Sequence, residues 1–288
     1  MDESQPTRLE KFVVDSVLAL QRVGLGELTQ NAALRGLAKR LLLRADSPPR
    51  LRAIASGVGR GLKLQVLDGT PKSYWMGTHE LTTQALLLDQ IKSGMTVYDC
   101  GANIGYFSVI FARLVGPAGR IFAFEPSPDS LQCLHVAREI NGLNNLTVVP
   151  QAVWDRKEML HFVRCAPDAS SVSDHVEGVF GKSSEQKEHI EVPAISLDEL
   201  VYKQGNPPPD FIKIDVEGSE GEAVAGACRL LSECRPSLLL EIHGAPGRRV
   251  WQFLKELNYV ATNVATGEVP RTVDEFAIWK RQYLAVPA

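Results

Sequence analysis

A chain of 288 residues with 44% hydrophobic and 23% charged residues has the apolar content of a folded domain, which excludes a disordered, collagen-like or disulfide-scaffold protein. Thirty-one Lys+Arg against 34 Asp+Glu leave a net charge of -3, so no global cationic field makes nucleic acid or an anionic membrane the default partner. No stretch approaches the roughly 18 apolar residues of a membrane span. The opening Met1-Asp2-Glu3-Ser4 lacks the features of a secretory signal, and five cysteines with no CxxC pair read as reduced, mostly buried thiols, so the expectation is a cytoplasmic protein.

Residues 1–60 read as a basic helical extension. Phe12, Val13, Val17, Leu18 and Leu20, then Leu34, Leu37, Ala38, Leu41 and Leu42, recur at helical steps and stop near Ser47-Pro48-Pro49. Arg35, Lys39, Arg40, Arg44, Arg50, Arg52, Arg60 and Lys63 form the one basic region, either a solvated helical face or a substrate or partner surface. From Leu62 to Leu67 the pattern alternates with period two, and Asp68-Gly69 predicts a hairpin leading to Tyr74-Trp75.

Helix and strand then alternate. Thr78 can cap a helix running to Lys92, and a strand follows from Met95 to Cys100. Next come a helix from Ile104 to Leu114, a strand from Arg120 to Glu125, a helix from Ser130 to Asn141 and a strand from Leu146 to Val149. Glu158–Val163 and Ile190–Val192 read as strands around a long polar loop at about 166–187. Beyond it lie a strand from Asp210 to Asp215, a helix from Ser219 to Leu231, a strand from Ser237 to Ile242 and a helix from Arg248 to Leu257. Strand-like pieces at Tyr259–Thr262 and Tyr283–Val286 end the run. Such alternation implies an α/β domain over residues 61–288, a mostly parallel sheet with helices on both faces.

At Asp99-Cys100-Gly101-Ala102-Asn103-Ile104-Gly105 a strand turns on two glycines into a helix. Gly101 permits the sharp turn and close approach to a ligand; Gly105 permits tight helix-on-sheet packing. Asp99, at the strand end, would repel a pyrophosphate but can accept hydrogen bonds from an ammonium group, which disfavours a nicotinamide-dependent oxidoreductase. Glu125 ends the next strand, where a carboxylate can bind both ribose hydroxyls. Two acidic strand ends beside one glycine turn fit S-adenosylmethionine, with the adenine toward Pro150-Gln151-Ala152.

Asp215 and Glu217 leave one strand as Glu241 and His243 leave another, so on neighbouring strands the four converge at the same sheet edge. His243 is the candidate general base, because its ordinary pKa of about 6.5 leaves the neutral imidazole available at pH 7. Glu241 can orient it, and Asp215 can contact cofactor or acceptor. The alternative use of Asp215, Glu217, Glu241 and His243 is to bind a divalent ion such as Mg²⁺, which would acidify a hydroxyl.

On these residues the sequence resembles the FkbM family of S-adenosylmethionine-dependent methyltransferases. The matching text is Trp75-Met76-Gly77-Thr78-His79-Glu80, Val97 to Ser108, Phe122-Ala123-Phe124-Glu125-Pro126, Ile212 to Gly218 and Leu240-Glu241-Ile242-His243. The resemblance implies a seven-stranded class I (Rossmann-like) methyltransferase fold, S-adenosylmethionine as donor, and O-methylation of a sugar, polyketide or similar metabolite. It also places Glu80 in a block that closes over the methionine end. Two competing readings are a catalytically inactive scaffold that keeps the fold, and a nucleic-acid methyltransferase landing on the basic region. The net charge and the absence of a base-flipping motif of the Asn-Pro-Pro-Tyr type speak against the latter.

Overall fold

The computed structural model describes residues 50–67, 70–165, 175–176, 187–278 and 280–288. The expected basic helices, up to residue 49, lie outside the described residues. Of the basic region, Arg52 is seen 5.9 Å from the Trp75 ring centre, a cation–π contact.

Seven strands form the central sheet: β3 (Thr96–Cys100), β4 (Arg120–Phe124), β5 (Leu146–Val149), β10 (Phe211–Ile214), β11 (Ser237–Ile242), β12 (Tyr259–Asn263) and β13 (Arg281–Pro287). Their spatial order is β12-β13-β11-β10-β3-β4-β5. Only β13 runs antiparallel to its neighbours. This is the order and the single reversed strand of the class I methyltransferase fold that the sequence predicts.

The strands are apolar on both faces because both are covered. Val97, Ile121, Phe211 and Leu239 pack under α2 (Leu81–Gln90), α3 (Tyr106–Val115) and α4 (Pro128–Ile140). Tyr98, Phe122, Ile212 and Leu240 pack under α5 (Glu220–Ala225), α6 (Cys228–Glu233) and α7 (Gly247–Glu256). Four short strands, β6 (Ala152–Val153), β7 (Glu158–Cys165), β8 (His175–Val176) and β9 (Lys187–Ile195), make a second sheet ordered β6-β9-β7-β8. Two strand residues, His175 and Val176, thus lie inside the stretch expected to be loop; 166–174 and 177–186 lie outside the described residues. No helix among the described residues is long and apolar enough to cross a membrane. The thiols are less uniformly buried than the sequence suggests: Cys100 and Cys133 are buried, but Cys234 is exposed.

Three local expectations change. The alternating segment forms β2 (Lys63–Val66), but its partner is the preceding β1 (Arg50–Ala53), closed by the Ile54 N–H to Leu62 at 2.7 Å. Tyr74 and Trp75 sit in the short helix α1 (Ser73–Met76). The helix expected over 219–231 is two helices, because Asp198 accepts the Arg229 and Leu230 N–H groups at 3.0 and 2.8 Å and so gives α6 an N-terminus of its own. Helix α2 starts at Leu81 rather than at a Thr78 cap. The Gln84 side-chain nitrogen holds the loop ahead of it, within hydrogen-bond distance of the Gly77 and His79 carbonyls and the Tyr106 hydroxyl.

Two glycines of left-handed φ separate strain from crowding. At Gly142 (φ +62°) an added Cβ meets open space, whereas at Gly101 (φ +81°) it would lie 1.8 Å from the Asp215 carbonyl oxygen. Gly142→Ala is expected to cost about 1 kcal/mol, the left-handed penalty alone. Gly101→Ala adds the overlap, for a total of about 3 kcal/mol or more. Urea unfolding of the two variants checks this, and equal losses would contradict it.

Candidate active site

The glycine turn between β3 and α3 is built by side chains beneath it. Glu125, only 6% exposed at the end of β4, accepts the Asn103 N–H at 2.7 Å and the Ser127 N–H at 2.8 Å, so its carboxylate fixes the turn from the neighbouring strand. Asn103 takes a left-handed φ of +50° and its own Oδ1 accepts the Ile104 N–H. Gly105, also left-handed, lies against Leu134 so closely that a Cβ would come within 2.6 Å of it. Ala152, in β6 beyond the end of β5, is buried on the same side of the sheet order.

Asp99, expected at the strand end as an acceptor for an ammonium group, is enclosed there rather than open to a ligand. It is fully buried; one oxygen accepts the Ser108 hydroxyl at 2.6 Å, and Oδ1 has no hydrogen-bond partner among the described residues. Burial raises its pKa, partly offset by Lys213 and Ser108. Lys213 stands beside it on β10, 3% exposed, donates to Asp215 at 2.8 Å and lies 5.3 Å from the Phe107 ring centre. Burial alone would lower its pKa, but Asp215, Asp99 and Glu80 outweigh that and raise it, so Lys213 is a buried cation.

Asp215, Glu217, Glu241 and His243 do converge. The His243 ring, 1% exposed, meets Glu220 through Nδ1 at 2.8 Å, while Nε2 lies 3.3 Å from Glu217 and 3.5 Å from Glu241. Glu217 reaches the ring through a left-handed φ of +48° rather than by extended-strand alternation. Burial opposes charge on His243, but Glu220, Glu241 and Glu217 raise its pKa from 6.5 to about 10. The expected base is thus enclosed by carboxylates, and His243 in turn helps lower the pKa of Glu241 against the effect of burial. Ligand atoms of Asp215, Glu241 and His243 come within 4.8 Å of one another, the grouping that could hold a metal ion.

A cleft of about 480 Å³ opens beside this rim, lined in part by Glu80, Glu241 and Gln282. Glu80, at the start of α2 with φ +48°, pairs with His79 at 3.0 Å. Its pKa is lowered, because His79 and Lys213 outweigh burial.

A family profile described as "Methyltransferase FkbM domain" matches residues 99–261, more than half of the chain. The chain belongs to the FkbM methyltransferase family. Methyltransferases of this family use S-adenosylmethionine as methyl donor. The chain is 27% identical over 161 residues to 31-O-demethyl-FK506 methyltransferase FkbM of Streptomyces tacrolimicus, covering 48% of this chain and 61% of that protein. It is 28% identical over 172 residues to hexuronic acid methyltransferase AglP of Haloferax volcanii, covering 59% and 66%. The matches thus span less than two thirds of either relative. Among solved structures, methyltransferase FkbM from Methylobacillus flagellatus is similar with 22% identity and a TM-score of 0.43, over 67% of this chain and 43% of that one.

The rim fits the family's cofactor chemically. Among the described residues Glu80, Asp99, Asp215, Glu217, Glu220 and Glu241 gather about the buried Lys213 and His243, so carboxylates outnumber basic groups at this edge, which suits a cationic sulfonium. The buried Oδ1 of Asp99 adds an acceptor with capacity to spare. Sequence reasoning passed over Lys213, Glu220 and Gln282. Lys213 alone had a visible signal, a single charge inside the apolar strand Phe211-Ile212-Lys213-Ile214.

Lys213→Met removes the counter-ion of two carboxylates in one step. The expected loss is about 3–5 kcal/mol of unfolding free energy. Urea denaturation showing a change below about 0.5 kcal/mol would mean that Asp99 and Asp215 do not depend on Lys213.

Proposed function

We propose that this chain transfers the methyl group of S-adenosylmethionine to a hydroxyl of a small-molecule acceptor bound in the cleft beside Glu241. The carrying observation is that Glu241 belongs at once to the wall of that cleft and to the buried group around His243. In this reading Glu125, Asn103 and the Gly101–Gly105 turn hold the ribose side, Ala152 lies toward the adenine, and Asp215 and Glu80 face the methionine end with Asp99 buried behind them.

When bound, the sulfonium supplies an electrophilic methyl: the acceptor oxygen gains the new O–C bond as the C–S bond breaks and its electron pair stays on sulfur. The chain's part is to align the hydroxyl and receive its proton. Glu80 and Glu241 are the carboxylates that line the cleft, whereas His243 is sealed behind Glu241. The proton goes to this carboxylate pair, and His243 holds Glu241 from behind. A carboxylate suffices as acceptor because the hydroxyl grows strongly acidic as its oxygen becomes methylated.

Incubation with S-adenosylmethionine labelled in the methyl group and a panel of sugar and polyketide alcohols tests the reaction. Label is expected in a stable ether, with Glu241→Gln lowering turnover about 100-fold or more while calorimetric affinity for S-adenosylmethionine stays within a few fold. Label appearing only on nitrogen or carbon nucleophiles would reject O-methylation, and full turnover in Glu241→Gln would reject its role.

The grouping of Asp215, Glu241 and His243 favours one second reading, a divalent ion that acidifies the acceptor. Under it, EDTA abolishes turnover and Mg²⁺ restores it; turnover untouched by EDTA leaves the carboxylate pair alone responsible.

A further inference from the structure

Gln282 enters the cleft from the start of strand β13, far in sequence from every motif of the family, and its amide has no freedom left. Nε2 donates to Glu80 at 2.6 Å and to Glu241 at 2.8 Å, using both of its hydrogens, while Oε1 accepts the Thr83 hydroxyl. The amide orientation is fixed by chemistry, since the carboxylates can only accept and the carbonyl cannot donate. One nitrogen thus pulls together two carboxylates that would otherwise repel. That repulsion is felt: Glu80 works to raise the pKa of Glu241, and Gln282 and His243 work against it.

The surroundings say what such a pair meets. Of the residues lining the cleft, only Val264 and Ala265 are apolar; the rest offer carboxylates, hydroxyls, amides or basic groups. At about 480 Å³ the space falls within the range of roughly 300–1,000 Å³ usual for small-molecule sites, and its wall is mixed, with side-chain stems and methyls exposing about as much apolar as polar surface. Two converging carboxylates demand hydrogen-bond donors, and an apolar alcohol offers one at most. A polyhydroxylated acceptor offers several, and its C–H faces suit the apolar stems between the polar groups of the wall.

We infer that Gln282 is a positioning residue that locks Glu80 and Glu241 into a paired acceptor for two hydroxyls of a polyhydroxylated, sugar-like substrate. One hydroxyl is held by one carboxylate while the neighbouring hydroxyl faces the methyl donor. This rests on the cleft being the acceptor site, as proposed above, and names the class of acceptor.

Binding without turnover tests it. Amide chemical-shift titrations of the full chain use methyl β-D-glucopyranoside as the polyol probe and cyclohexanol as the apolar one. The glucoside is expected to shift the signals of Glu80, Glu241 and Gln282, with cyclohexanol binding at least tenfold more weakly. Gln282→Met, of similar size without the amide, should weaken the glucoside at least tenfold and leave cyclohexanol unchanged, a change of preference that simple loosening of the fold would not produce. Thr83→Val, which frees only Oε1, should weaken the glucoside in the same direction by a smaller factor and serves if Gln282→Met does not fold. Cyclohexanol binding as well as the glucoside, or unaltered glucoside binding in a folded variant, would overturn the inference. Calorimetry with S-adenosylmethionine is run alongside: absent binding there is a failure of the methyl-transfer reading, whereas intact cofactor binding with no polyol preference is a failure of this one.

Discussion

The carboxyl edge of the sheet depends on one buried charge. Lys213 replaces an apolar residue in the middle of a fully covered strand, and it is kept there by Asp99 on one side and Asp215 on the other. A charge so placed contributes little to stability by its presence and a great deal by its removal, because its partners would remain buried and uncompensated. It therefore acts as a specifier of geometry. Asp99 is held under the glycine turn and Asp215 at its mouth, with the Asp215 carbonyl against Gly101 where no side chain could fit. The aromatic face of Phe107 completes the cation's surroundings from helix α3.

Strain gathers around the same edge. Of the non-glycine residues with left-handed φ, Glu80, Asn103 and Glu217 each belong to the site, and each aims a polar group that a relaxed backbone would send elsewhere. Such conformations cost on the order of 1–3 kcal/mol each and persist only where the surroundings over-determine them. Here the determinants are visible: Gln84 grips the loop before Glu80, Glu125 ties down the backbone of Asn103, and His243 draws in Glu217. The result is a rim that is negative, buried beneath and preorganised, which is what stabilises developing charge during a displacement without waiting for solvent to reorganise.

Much of this was legible in the sequence, and the gaps have a common cause. The strands from Thr96 to Val149 and from Phe211 to Ile242 were readable because apolar runs of strand length alternate with helical periodicity, and the convergence of Asp215, Glu217, Glu241 and His243 followed from parallel neighbours ending at one edge. What failed was whatever depends on partners distant in the chain. The break between α5 and α6 is set by Asp198, and Gln282 meets Glu80 across 202 positions; the pairing of β2 with β1 is the local exception, a hairpin that closes upstream rather than downstream. The surroundings of His243 were not legible for a related reason: Glu220, which meets its Nδ1, stands on another element 23 positions away.

The central claim is that this rim, organised around Lys213, receives a sulfonium nucleoside. A crystal structure of the complex with S-adenosylhomocysteine tests it most directly. The account predicts both ribose hydroxyls within about 2.6–3.2 Å of the Glu125 carboxylate and the amino-acid end reaching toward Asp99 and Asp215. A nucleoside lodged away from Glu125, or bound with its amino-acid end turned from the Lys213 cluster, would contradict it.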